Sequence, residues 1–166
     1  CCEVAVNDFF PPRTPGALRA YAPAGFAPVF SIAMFYDLDD PHAFVHAVKA
    51  NLHADGVWII QFQDLDQMLR TNAFDNICAE HIEYYTLHSL QELLKHNALT
   101  VYDVERRAIN GGSLRCYVGH TKPTAPSWAT AEGRTLVLAQ LAQVDAAGLL
   151  DRDAAAEGED LATHVR

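Results

Sequence analysis

The densest run of reactive side chains is Phe74-Asp75-Asn76-Ile77-Cys78-Ala79-Glu80-His81-Ile82-Glu83-Tyr84-Tyr85. It sets a carboxylate, Glu80, beside an imidazole, His81, among tyrosines. An imidazole moves protons near neutral pH, and a neighbouring carboxylate can orient the ring and favour its charged form, so the pair suits general acid–base work. Adjacent residues point about 100° apart on a helix and to opposite faces of a strand, so the two converge on one substrate only on irregular backbone. Judged on spacing alone, an exposed turn with an ordinary ion pair is the commoner origin of such a dipeptide.

His42, His46 and His53 form a second set, within about 40° of one another on a helical wheel, an arrangement that could ligate a metal. The same wheel puts them roughly 130° from the stripe of Phe44, Val45, Val48 and Leu52, which marks a solvated polar face. One helix rarely closes a metal site, so no metal is expected, and a metal-dependent hydrolase joining these histidines to Glu80 and His81 lacks a marked fourth ligand. The lysine-bearing phosphate loop, G-x-S-x-G and H-E-x-x-H are all absent, which removes the physical parts of phosphate-loop enzymes, serine hydrolases and zinc peptidases.

These side chains need a scaffold, and the apolar pattern supplies one. Short apolar runs at Glu3–Val6, Pro28–Phe35 and Gly56–Phe62 alternate with helical segments, the signature of a layered α/β fold. Val57 to Ile60 is apolar without alternation, which predicts a strand covered on both faces in the middle of a parallel sheet. Pro41 to His53 reads as a helix with Asp39 or Asp40 as cap, ending at the turn Ala54-Asp55-Gly56. Asp64 to Tyr85 lacks a clean period and predicts an irregular excursion, and Thr86 caps a helix through Leu87, Leu90, Leu93 and Leu94 to about Asn97. Leu99–Ile109 and Ser113–Gly119 read as strands joined by Asn110-Gly111-Gly112, a hairpin whose last strand runs antiparallel to its neighbour. Thr121–Trp128 reads as a linker, and Arg134–Leu150 as a helix with Leu136, Leu141 and Val144 inward, before an acidic tail. In such sheets ligands sit beyond the strands' carboxyl ends, here Asn7–Phe10, Ala33–Tyr36 and Gln61–Asp64.

Half of the 166 residues are hydrophobic and 20% charged, a globular composition. Twelve Lys+Arg against 21 Asp+Glu give −9, the wrong sign for nucleic acid or an anionic membrane surface. The four cysteines show no C-x-x-C spacing, so a zinc module or disulfide framework is not indicated and a reducing, cytoplasmic home is expected. No apolar run approaches the ~20 residues of a membrane span.

Ser31 to Pro41 (SIAMFYDLDDP), Asp55 to Gln61 (DGVWIIQ), Asn72 to Tyr85, Asp103 to Arg106 and Asn110 to Arg115 (NGGSLR) together resemble the class I S-adenosylmethionine-dependent sugar C-methyltransferases. The similarity runs in register from about Val4 to at least Val118. It implies the later half of a Rossmann-like class I methyltransferase sheet over residues 1–120, with its antiparallel hairpin. Residues 121–166 would be a linker and the helical start of a C-terminal lobe. By the same resemblance the cofactor is S-adenosylmethionine and the substrate a nucleotide-linked 4-keto-deoxysugar.

Residue by residue, the resemblance makes His81 the catalytic base and Glu80 its partner, with Tyr84 and Tyr85 shaping the substrate pocket. Asn110 and Arg115 would bind substrate, and Asn7, Phe9, Ala33, Met34 and Phe35 would border the cofactor. Ala79 stands where the familiar motif has a second histidine, and Cys78 where an aromatic often stands. The sequence starts with Cys1 and carries no glycine-rich cofactor loop, so the chain reads as a fragment expected to bind cofactor weakly or not at all by itself. An oligomer is left open. A noncatalytic α/β binding or assembly module, pairing through a sheet edge, is the alternative expectation.

Overall fold

The computed structural model describes residues 5–12, 16–109, 111–120, 139, 141 and 142. The elements follow as β1 (Val29–Ile32), α1 (Pro41–Asn51), β2 (Trp58–Gln63), α2 (Leu65–Thr71), α3 (Leu87–His96), β3 (Thr100–Arg107) and β4 (Ser113–Gly119), with 3₁₀ turns at Ala17–Ala20, Phe35–Asp37 and Phe74–Asn76. The fold is mixed α/β around one four-stranded sheet of order β1-β2-β4-β3.

All six β2 residues are buried, as its unbroken apolar run predicts. Its setting differs from the expected parallel middle. β2 is parallel to β1 but antiparallel to β4, because the hairpin after β3 folds β4 back into the slot beside β2. A tight hairpin can only reverse the chain, so the sheet is parallel on one side of β2 and antiparallel on the other. Within β3 the register shifts between Val101 and Asp103, which leaves Val101 and Val104 on the same face.

On one face Trp58, Ile60, Phe62, Leu114, Cys116 and Val118 pack with Phe44, Val45 and Val48 of α1 and Leu90 and Leu94 of α3. The opposite face carries Val57, Ile59 and Tyr117, with Phe30 and Tyr102 packed beside them and Leu141 closing over them. Ala139, Leu141 and Ala142 are helical, inside the helix expected at Arg134–Leu150, and Leu141 is inward as expected. Leu136, Val144, the linker and the acidic tail lie outside the described residues.

The helix ends are built from side chains that the sequence displays. Asp40 Oδ1 accepts the Ala43 amide at 2.9 Å, ahead of Pro41 in the first turn of α1. At α3, Thr86 Oγ1 accepts the Ser89 amide and Ser89 Oγ accepts the Thr86 amide, a reciprocal cap. Two sequence expectations are corrected here. The stretch from Asp64 is not irregular throughout: α2 forms, capped by Asp64 at its start and closed by Asn72 at φ 54°. The apolar run predicted as a strand over Pro28–Phe35 stops at Ile32, because Ala33 turns to φ 51° and Phe35 opens a 3₁₀ turn. Of the strand expected at Glu3–Val6, Ala5 and Val6 are exposed and in no strand, and Glu3 lies outside the described residues.

The hairpin reaches back over α2 at Gly112. Its φ is +120°, and a Cβ there would lie 2.3 Å from Gln67 Cγ. Gly112→Ala is therefore expected to destabilise the protein by about 1–3 kcal/mol in urea titration. Adding Gln67→Ala should recover the steric part of that loss and leave the backbone part.

Candidate active site

The carboxyl ends of β1 and β2 and the β3–β4 hairpin share one rim of the sheet. His81 lies on it, on backbone that is neither helix nor strand. Its ring centroid is 4.4 Å from that of Tyr36, in the 3₁₀ turn just after β1, with 59° between the planes. The Tyr36 carbonyl accepts the amides of Ile82 and Glu83 at 3.0 and 2.9 Å, so the backbone after His81 is tied to the same residue.

His81 Nδ1 stands 2.9 Å from the Asn76 carbonyl oxygen. A carbonyl can only accept, so Nδ1 carries the proton, and in the neutral ring Nε2 is left as the proton acceptor. Glu80 is exposed, and among the described residues no hydrogen bond or ion pair joins it to His81. The group that orients the ring is thus a backbone carbonyl.

Tyr84 is half-buried, whereas Tyr85 is core, with its ring centroid 5.3 Å from Phe35 and 6.0 Å from Phe62. The Tyr85 hydroxyl is buried without a hydrogen-bond partner among the described residues. Desolvation, with a smaller push from Glu83, raises its pKa to about 12. Tyr36 is also raised, first by burial and then by the charges of Asp37 and Cys78.

Of the residues expected to border a cofactor, Ala33 is exposed at the end of β1 and Met34 is half-buried against the core. Asn7 and Phe9 are exposed on the N-terminal segment, which is anchored by Phe10 edge-on to Phe44 at 4.9 Å. Phe35 is wholly buried and touches Phe44, Trp58 and Tyr85, so its ring supports the rim from below and faces no opening.

Asn110 lies outside the described residues. Arg115, expected as a substrate donor, is wholly buried. Its Nε donates to Gln61 Oε1 at 2.9 Å and its Nη1 lies 3.8 Å from Glu105 Oε2. Glu105 in turn accepts from Tyr117 and Arg107. By strand alternation this network belongs to the face opposite α1 and α3, so the structure does not bring Arg115 together with His81.

The α1 histidines have separate local duties. His53 Nδ1 accepts the Asp55 amide, His42 meets the Asn97 side chain, and His46 is exposed. Among the described residues no group of three or more His, Cys, Asp or Glu is placed to hold a metal. No helix among them is long and apolar enough to cross a membrane.

Sequence reasoning put Tyr36 and Asp64 on the rim without giving them tasks. Asp64, at the end of β2, is 3% exposed, and burial raises its carboxyl pKa against the lowering pull of the Asp66 amide and Arg106. The role of Asn76 escaped because it is played by a backbone atom, which residue type does not advertise.

No family model matches the chain. Over 121 residues it is 31% identical to the C-methyltransferase NovU of Streptomyces niveus, a stretch that takes in 73% of this chain and 27% of that protein. The chain thus spans about a quarter of that relative's length. Among solved structures, the magnesium protoporphyrin IX methyltransferase ChlM of Synechocystis PCC 6803, with bound SAH, aligns at TM-score 0.45 and 10% identity, over 59% of this chain and 46% of that one. The O-methyltransferase NcsB1 from neocarzinostatin biosynthesis, in complex with S-adenosylmethionine and a naphthoic acid, aligns at TM-score 0.46 and 19% identity, over 58% and 29%.

The buried Tyr85 hydroxyl has a measurable consequence. Its folded pKa of about 12 lies above the model value of 10.0, so the neutral form is favoured on folding. Stability from this group is complete below the unfolded pKa and is lost as pH rises toward the folded value. Chemical denaturation across that alkaline window should show falling stability, and Tyr85→Phe should flatten the fall.

Proposed function

We propose that this chain is the later half of an S-adenosylmethionine-dependent C-methyltransferase that methylates carbon next to the ketone of a nucleotide-linked keto-deoxysugar. Residues 1–120 form that sheet half, and 121–166 form a linker and the helical start of a second lobe. What carries the reading is the His81 ring at the sheet's carboxyl rim, with Nδ1 on the Asn76 carbonyl and Nε2 left to take a proton. The similarity to a C-methyltransferase supports it.

In this reading His81 Nε2 removes the proton from the carbon beside the ketone, whose electron pair passes into the enolate, and the ring becomes imidazolium. When bound, S-adenosylmethionine supplies the electrophilic methyl group that the enolate carbon accepts. Four of the five residues expected to border it fit that task, since Ala33, Asn7 and Phe9 are exposed and Met34 is half-buried at the end of β1. Phe35 does not fit, being core. Tyr85 keeps its proton at neutral pH and offers a hydroxyl to a sugar or ketone oxygen. Glu80, exposed beside the base, acts on it through solvent and contributes little.

A binding or assembly module is the second reading. It is favoured by β1, which among the described strands pairs on one side only.

The test uses the longer protein that contains this chain, assayed for methyl transfer to nucleoside-diphosphate keto-deoxysugars. His81→Ala should lower turnover by roughly 10²–10⁴-fold with folding retained, and Glu80→Gln by less than about tenfold. Unchanged turnover in His81→Ala would refute the base. Calorimetric titration of the 166-residue chain with S-adenosylmethionine should give weak or no heat.

A further inference from the structure

We infer that Tyr36 is the positioning residue for His81, its ring face fixing the imidazole so that Nε2 stays unprotonated; this rests on the reading of His81 as the base. His81 to Thr86 have neither helix nor strand, so no repeating hydrogen bonds hold the imidazole. The hydrogen bond to Asn76 is local: it ties the ring to its own loop and fixes nothing relative to the sheet. The link to the sheet runs through Tyr36. Its carbonyl takes both amides that follow His81, and its ring lies 4.4 Å from the imidazole.

Tyr36 is itself held. It is 9% exposed, and its neighbour Phe35 is locked between Phe44, Trp58 and Tyr85. Terminal ring torsions are broad, so an imidazole without a packed face can turn away from its acceptor. The Tyr36 ring occupies the space into which His81 would turn. In water an unrestrained imidazole favours the Nε2–H form, which leaves Nδ1 as the acceptor and takes the basic nitrogen away from the position described above. Tyr36 therefore acts through His81 by holding its tautomer, and the ring rather than the hydroxyl does this, since the contact is between rings.

The experiment is long-range ¹H–¹⁵N spectroscopy of the ¹⁵N-histidine-labelled 166-residue chain at a pH where its imidazoles are neutral, with His81 assigned by its loss in His81→Gln. The chain and Tyr36→Phe should both show Nδ1 protonated and Nε2 bare. Tyr36→Leu should lose that preference by roughly fivefold, a change of the size of one net hydrogen bond. Tyr36→Met, which fills the space flexibly, gives the same reading should the leucine variant fail to fold.

An unchanged tautomer in the ring-deleted variants overturns the proposal. So does its loss in Tyr36→Phe, which would assign the role to the hydroxyl. The signature is read without turnover, so a longer protein that methylates nothing would sink the proposed reaction and leave the tautomer result to stand or fall separately.

Discussion

The packing of one ring, Phe35, holds the candidate site to the fold. Wholly buried, it lies 5.9 Å from Phe44 on α1, 5.7 Å from Trp58 on β2 and 5.3 Å from Tyr85 at the end of the excursion, measured between ring centroids. Edge-on and tilted contacts of this kind add to the burial of large apolar area and have defined geometry. Phe35 also follows the positive-φ break at Ala33, so the chain leaves β1 at a fixed angle. Tyr36 comes next in sequence, and through its carbonyl and ring the loop carrying His81 inherits that fixed position. The order of causes runs from an aromatic core, to the path of a turn, to the pose of an imidazole.

The opposite face of the sheet solves a different problem. Arg115 is buried where strand alternation puts it beside Gln61 and Glu105, and Glu105 also serves Tyr117 and Arg107. A buried guanidinium is tolerable only with such partners, because its desolvation is large and must be met by charge and hydrogen bonds. Burial, followed by the nearby Glu105 carboxylate, raises the Tyr117 pKa, which keeps its hydroxyl a donor to that carboxylate. The network spans β2, β4 and β3, and so locks the hairpin strand against its neighbours at the end of the sheet nearest the rim.

The sequence displayed those parts of the fold whose physics is periodic or local. α1, α3 and the buried β2 came from apolar spacing, and their caps at Asp40 and Thr86 from residue type. The short α2 did not, since Met68 is its one buried residue and a single anchor makes no period; only Asp64 and Asn72 mark its ends. The apolar run through Phe35 looked like continuing strand because burial alone does not separate strand from buried turn, and the break rests on one backbone angle at Ala33. At the site, the residue types of His81 and Tyr36 were legible, but their meeting was not, because it depends on where two loops pass. Arg115 showed the reverse: its motif was plain, while its burial depended on the strand face that the hairpin register assigns.

Orientation of His81 by a carbonyl rather than by a carboxylate sets the character of the base. Both groups would hold the proton on Nδ1, but a carboxylate would also stabilise the imidazolium by full charge, whereas a carbonyl offers only a dipole. Glu80 stands in water, where its attraction for the ring is screened. A base so arranged gains little driving force from its surroundings. It can remove a proton only from carbon already made acidic by an adjacent ketone whose developing oxyanion is itself stabilised. The demand then falls on a donor to that oxygen, and the Tyr85 hydroxyl, buried, protonated and without a partner among the described residues, has the chemistry to meet it.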